Sequence, residues 1–235
     1  MREHGCQEFV KIVAATVQTR IPFSHREREL VPIGDGAVWL KHWLSVDEQR
    51  AVVDQCDAIM NGPAGGYVPL VRGGGKMHVP MVCLGRHWNA LTYKYESTRT
   101  DYDQAPVAPV AEEWVQLASR AAAEAGFTFA PDLCIMNWYD ADGRMGLHQD
   151  KDEGRESIEA GLPVVSISLG DTARFLFGGI KRRDPIQSLL LESGDTFVFG
   201  GAARLRYHGV SRIIAGTSPP ELGLEGRFNL TFRKY

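Results

Sequence analysis

The chain has 235 residues, 44% hydrophobic and 23% charged, enough apolar surface for one large core or two small ones and too much for global disorder. Its net charge of −3 supplies no overall positive field, so nucleic acid would need a local basic patch. No run approaches the ~18–20 apolar residues of a bilayer-spanning helix, the opening residues do not read as a signal peptide, and four scattered cysteines without a C-x-x-C pair exclude a zinc ribbon and suggest no disulfide framework, so no membrane association and a reducing cytoplasm are expected.

In chain order, residues 1–35 show no clean periodicity and end in the turn signal Pro32-Ile33-Gly34-Asp35-Gly36; they are set apart as an N-terminal extension of unknown role. Residues 36–130 read as helices and a lid. Ser45 with Glu48 forms a capping box, and Val52, Val53, Cys56, Ile59 and Met60 follow at helical spacing until Asn61-Gly62-Pro63 stops them. A second helix is expected from about Val110 to Ala125, with Trp114, Leu117, Ala118 and Ala121 on one face. Residues 62–109 between them are rich in Gly, Pro and aromatics (Tyr67, Trp88, Tyr93, Tyr95, Tyr102) and read as a covering flap.

From Pro131 to the last residue, short β runs take over: Leu133–Tyr139, Val164–Leu169, Arg174–Phe177, Ser188–Leu191, Thr196–Phe199, Arg206–Val210 and Arg227–Lys234. Gly178-Gly179 and Ser193-Gly194-Asp195 are read as hairpin turns. The expectation is an α+β, mainly β protein: a helical and loop layer on a β sandwich, barrel or jelly roll, forming one compact unit.

The sharpest local feature is Leu147-His148-Gln149-Asp150-Lys151-Asp152-Glu153. On an extended backbone His148, Asp150 and Asp152 share a face. An imidazole and a carboxylate two residues apart make two legs of a metal site, and His208 is the other histidine of the β half. Two histidines and one carboxylate form the facial triad of non-haem Fe(II) oxygenases; a hydrolytic zinc site and a plain surface pair are also compatible. The last strand adds Arg227, Asn229, Thr231 and Arg233 on one face and Phe228, Leu230 and Phe232 on the other. A face with two arginines either lies in solvent or grips a dianion, and Asn137 and Tyr139 offer further donors to carboxylate oxygens. A metal with open positions beside such a pocket points to 2-oxoglutarate, with one position left for O2.

These motifs, Asn137-x-Tyr139, His148-Gln-Asp150-Lys-Asp152-Glu, Val164-Val-Ser-Ile-Ser-Leu-Gly170, Arg204-x-x-x-His208-Gly and Arg227-x-Asn229-Leu-Thr-Phe-Arg233, stand in the order seen in the AlkB family. From about Gly62 onward the chain resembles these Fe(II)/2-oxoglutarate dioxygenases, and is most similar to the bacterial DNA-repair member. The resemblance implies a double-stranded β-helix (jelly-roll) core and oxidative demethylation of bases such as 1-methyladenine and 3-methylcytosine in DNA, preferably single-stranded and possibly in RNA, by a monomer. It implies iron on His148, Asp150 and His208, and the distal carboxylate of 2-oxoglutarate on Arg227, Asn137 and Tyr139, with Asn229 and Arg233 near the end bound to iron. Trp88 and Tyr95 match the lid over the damaged nucleotide, Asp152 the acidic residue facing the lesion, and Arg182 a basic residue contacting the nucleotide. Arg72, Lys76, Arg86, Lys94, Arg99, Lys181, Arg182 and Arg183 are the candidate phosphate track. The alternatives are an oxygenase of the same chemistry acting on RNA, protein or a small molecule, a zinc hydrolase, or a jelly-roll binding module.

Overall fold

The computed structural model describes residues 26–63 and 65–235; residues 1–25, most of the stretch set apart as an extension, lie outside them. Strands β1 (Glu29–Gly34) and β2 (Ala37–Lys41) form an antiparallel hairpin. Its turn requires Gly36, whose φ is +74° and where a Cβ would stand 2.2 Å from the Gly200 carbonyl oxygen. Periodicity gives residues 29–34 no element because β1 is an edge strand: its side chains are only exposed or half-buried.

Helix α1 (Val46–Met60) begins at the expected capping box, with Ser45 Oγ accepting from the Glu48 amide and Glu48 Oε2 accepting from the Ser45 amide at 2.9 Å. It buries Val52, Val53 and Cys56, and α2 (Glu112–Glu124) buries Trp114, Leu117, Ala118 and Ala121. The flap between them contains more regular structure than its composition suggests. It holds β3 (Met81–Leu84) and a small hairpin of β4 (His87–Asn89) and β5 (Lys94–Glu96), in which Trp88 pairs with Tyr95. A buried cluster anchors the hairpin's base: His87 Nε2 lies 2.5 Å from Asp101 Oδ1 and 3.1 Å from the Tyr67 hydroxyl, and Tyr67 stacks on Tyr102 at 4.3 Å.

The remaining strands are β6 (Leu133–Tyr139), β7 (Met145–His148), β8 (Val164–Gly170), β9 (Thr172–Phe177), β10 (Gln187–Leu191), β11 (Thr196–Phe199), β12 (His208–Ile214) and β13 (Arg227–Arg233), with the short helix α3 (Arg155–Glu159) after β7. A seven-stranded sheet runs β1-β2-β11-β8-β13-β6-β3 and a four-stranded sheet runs β10-β9-β12-β7. The larger sheet packs its outer face on the two long helices through Phe228, Leu230 and Phe232. Between the sheets lies a second core of Phe175, Phe177, Phe197, Phe199, Val164 and Leu191. Two facing antiparallel sheets of this kind make the jelly roll.

Two local expectations change, and one open alternative closes. Ser193-Gly194-Asp195 does not close a hairpin, because it carries the chain from β10 in the smaller sheet to β11 in the larger one. Its residues demand a tight turn but say nothing about which strand pairs next. Strand β7 stops at His148, so Asp150 and Asp152 sit on an irregular segment rather than on an extended strand face. Of the two readings of the polar face of β13, the solvated one falls: Arg227, Asn229, Thr231 and Arg233 are all buried between the sheets. Among the described residues no helix is long and apolar enough to cross a membrane.

Candidate active site

Strand register assembles the site. The pairing of β12 with β7 sets His208 opposite His148, beside a bulge at His208–Val210 that re-aims the first residues of β12. Asp150 follows two residues after the end of β7, and the ligand atoms of His148, Asp150 and His208 all lie within 4.8 Å of one another. Asp150 Oδ1 is 3.7 Å from His148 Nε2, and Asp150 Oδ2 is 3.5 Å from His208 Nε2. Each ring turns its Nδ1 to a backbone carbonyl, Gly146 at 2.9 Å and Arg206 at 3.0 Å, so an N–H donated there leaves Nε2 as the free lone pair aimed inward.

The donor groups stand in the protonation states that bind a metal. Burial opposes the charge on Asp150, but the Arg233 guanidinium and the two imidazoles outweigh it and hold the carboxyl well below its usual range. Packing in the site, then the neighbouring His208, push the His148 imidazole down, toward the neutral form that binds metal. As 39% of the His148 side chain still opens on the cavity, water offsets part of that effect.

Behind the triad, the β13–β6 register places Arg227 opposite Tyr139 and Asn229 opposite Asn137, all facing inward. With His148, Asp150, His208 and Arg233 they line an inner chamber of about 40 Å³. Arg227 is 1% exposed; Nη2 donates to Ser168 Oγ at 2.8 Å, while Nε has no partner. Burial lowers its pKa to about 10, still a cation at neutral pH. Asn137 Nδ2 is likewise buried without a partner, and Asp150 Oδ2 and Arg233 Nε, 3.1 Å apart, make an ion pair but no hydrogen bond. Unmet buried donors cost roughly 1–3 kcal/mol each, so this set of donors beside one carboxylate fits a small dianion and a metal. Asn229 lines the same chamber, and its amide also braces the sheet, donating to Ser166 Oγ at 2.8 Å and to the Ile167 carbonyl at 3.0 Å.

On the other side of His148 and Asp150 opens an outer chamber of about 590 Å³, lined by Trp88, Tyr93, Tyr95, Asp152, Arg182 and Tyr207 among others. Trp88 Nε1 donates to Asp152 Oδ2 at 2.8 Å, fixing the indole edge over the cavity. Burial raises the Asp152 carboxyl above its ordinary range, and the Trp88 bond opposes that rise. Arg182 donates to the Leu147 carbonyl at 2.9 Å and lies 5.6 Å from the Tyr207 ring centre.

Burial bears on two more of the expected residues. Tyr95 touches the chamber but is only 7% exposed, and its hydroxyl donates to Glu153 at 3.0 Å and accepts from Arg233 at 2.6 Å, which spends it on the interior. Arg99 is 3% exposed and bound to Asp103, so it leaves the phosphate track. Glu153 and Arg204, both buried and paired at 3.0 Å, carried no role in the sequence reading although they stand inside its motifs. Tyr93, on the hairpin turn with φ +56° and its ring 5.9 Å from Trp88, was read only as one flap aromatic among several.

The model of the 2OG-Fe(II) oxygenase superfamily matches residues 36–233. The alpha-ketoglutarate-dependent dioxygenase AlkB of Escherichia coli is 37% identical over 221 residues, covering 90% of this chain and 96% of that protein. The chain belongs to the AlkB family of this superfamily. The DNA N(6)-methyladenine demethylase ALKBH1C of Arabidopsis thaliana is 40% identical over 224 residues, 86% of this chain but 49% of that protein; the chain thus spans about half the length of such plant relatives. A solved structure of OsALKBH1 superposes with a TM-score of 0.83 at 38% identity, covering 88% of this chain and 100% of that one. The AlkB-family jelly roll is therefore shared over nearly its whole described length.

Proposed function

We propose that this chain is an Fe(II)/2-oxoglutarate-dependent dioxygenase that oxidatively demethylates N-alkylated bases such as 1-methyladenine and 3-methylcytosine in DNA, preferably single-stranded, releasing formaldehyde, CO2 and succinate. The observation that carries it is the triad of His148, Asp150 and His208 set between a small charged chamber and a wide aromatic one. His148, Asp150 and His208 would hold the iron, and Arg227, Asn137 and Tyr139 the far carboxylate of the cosubstrate, where burial makes a charged hydrogen bond strong. When bound, iron and 2-oxoglutarate with O2 supply the oxidation of an N-methyl C–H bond, the chemistry no side chain can provide.

The protein's own contribution is orientation and exclusion of water. Trp88 and Tyr93 offer ring faces to an extruded base, and aromatic contact with a cationic lesion is worth roughly 0.5–2 kcal/mol. Asp152 adds a carboxylate to the same chamber, which favours bases that carry positive charge. Lesions on the pairing edge weaken pairing and lower the cost of extrusion, which supports a single-strand preference. A second reading, removal of the methyl group from N6-methyladenine, is favoured by the 40% identity to plant DNA N(6)-methyladenine demethylases.

Formaldehyde release from short oligonucleotides carrying 1-methyladenine, 3-methylcytosine or N6-methyladenine tests both. The proposal predicts turnover of the two cationic lesions that weakens steeply with added salt, each phosphate contact contributing a log–log slope of about −0.7. Turnover confined to N6-methyladenine would select the second reading, and none on any strand would reject nucleic acid as the substrate.

A further inference from the structure

The segment that carries Asp150 has no strand partner, because β7 ends at His148 and α3 begins only at Arg155. Its placement instead depends on side chains. Arg204, 3% exposed, donates through Nη1 to the backbone carbonyl of Asp150 and through Nη2 to Glu153 Oε2 at 3.0 Å. The other Glu153 oxygen accepts from the Tyr95 hydroxyl at 3.0 Å and from Arg233 Nη1 at 3.3 Å, and Arg233 Nε stands 3.1 Å from Asp150 Oδ2. Two guanidinium groups and two carboxylates therefore form one closed, charge-balanced buried cluster. Gln149 Nε2 adds a neighbouring tie to the Leu205 carbonyl at 2.6 Å.

Arg204 also lies on the short stretch that leads into β12, whose first residue is His208. One guanidinium thus joins the two chain segments that deliver Asp150 and His208. Buried ion clusters add little net stability, because desolvation consumes most of the Coulomb gain, so what this one offers is geometry. A metal site built on an irregular segment holds its ligands in place only if a surrounding shell fixes them.

We propose that Arg204 is a positioning residue for the metal ligand Asp150, with Glu153 as its counter-ion: it fixes the Asp150 backbone so that the carboxylate stays within reach of both imidazoles. The inference rests on the metal-binding role of the triad given above. A purely electrostatic role predicts the opposite sign, since removing a positive charge beside a cation site would tighten metal binding. A purely structural role would leave the metal affinity of correctly folded protein unchanged.

The test is titration of the full chain with Co(II), followed by visible absorption, without cosubstrate or nucleic acid. Arg204→Gln and Arg204→Lys are compared with the unaltered protein. Lysine keeps the charge and offers a conservative fold, but cannot make the two-pronged contact. The expected result is Co(II) binding weakened about 10- to 100-fold in both. A loss under about tenfold in either folded variant, or tighter binding, overturns the positioning role. Failure of the unaltered protein to take up Co(II) would instead overturn the metal site, and this inference with it.

Discussion

The inner chamber measures about 40 Å³, is walled by strands of both sheets and is lined by buried charge, whereas the outer chamber measures about 590 Å³ and is roofed by a hairpin that belongs to neither sheet. Ladder hydrogen bonds set the positions of Arg227, Asn137 and Tyr139, so they cannot shift without unzipping β13 from β6. The outer wall is fastened by side chains, through Trp88 to Asp152 above and through His87 to Asp101 below. The difference separates two kinds of wall: the side of Arg227, Asn137 and Tyr139 is set by strand pairing, while the aromatic side hangs on side-chain contacts that single substitutions can alter.

Substitutions should therefore divide cleanly between the two regions. The largest effect is expected where the chambers meet. His208→Ala should abolish metal uptake and formaldehyde release while the circular dichroism spectrum stays unchanged; retained turnover would remove the triad. In the inner chamber, Arg227→Ala leaves a buried carboxylate without its cation, a loss of at least ~2 kcal/mol, so the half-saturating 2-oxoglutarate concentration should rise about thirtyfold or more. Its metal requirement should barely move, and equal rises in both would break the assignment of this chamber to the cosubstrate. The smallest effect belongs to the outer wall. Asp152→Asn should raise KM for a 1-methyladenine oligonucleotide about fivefold, since a half-buried carboxylate is partly screened and worth roughly 1 kcal/mol. KM for neutral N6-methyladenine and the 2-oxoglutarate requirement should stay within about twofold, a change of roughly 0.4 kcal/mol. A matching rise for the neutral base would show that charge is not what Asp152 reads.

How much of this was legible in the sequence follows from the range of each interaction. The capping box at Ser45 and the strict alternation of β13 are local signals, and both elements appear where those signals stand. That alternation also separated Arg227 and Arg233 from Phe228 and Phe232, although a sequence alone does not say whether a polar face meets water or a second sheet. The register of His208 against His148 is a long-range fact: residue type singled out His208 as the other histidine of the β half, and the order of family motifs supported it, but neither gives the pairing. The β1 strand escaped because an edge strand buries too little to leave a pattern, and the turn at 193–195 because tight turns look alike whether or not they change sheets. Arg99, Glu153 and Arg204 illustrate the same limit. A charged side chain reads as a surface residue until its buried partner, Asp103 for the first and each other for the second pair, is placed beside it.

The most direct test is anaerobic addition of Fe(II) and then 2-oxoglutarate to the full chain, followed by visible absorption. A charge-transfer band should grow in with one equivalent of each, disappear in His208→Ala, and require far more 2-oxoglutarate in Arg227→Ala while keeping its Fe(II) dependence. A band of full intensity without His208, or the absence of any band in the unaltered protein, would contradict the convergence of these three side chains on one metal beside a cosubstrate chamber.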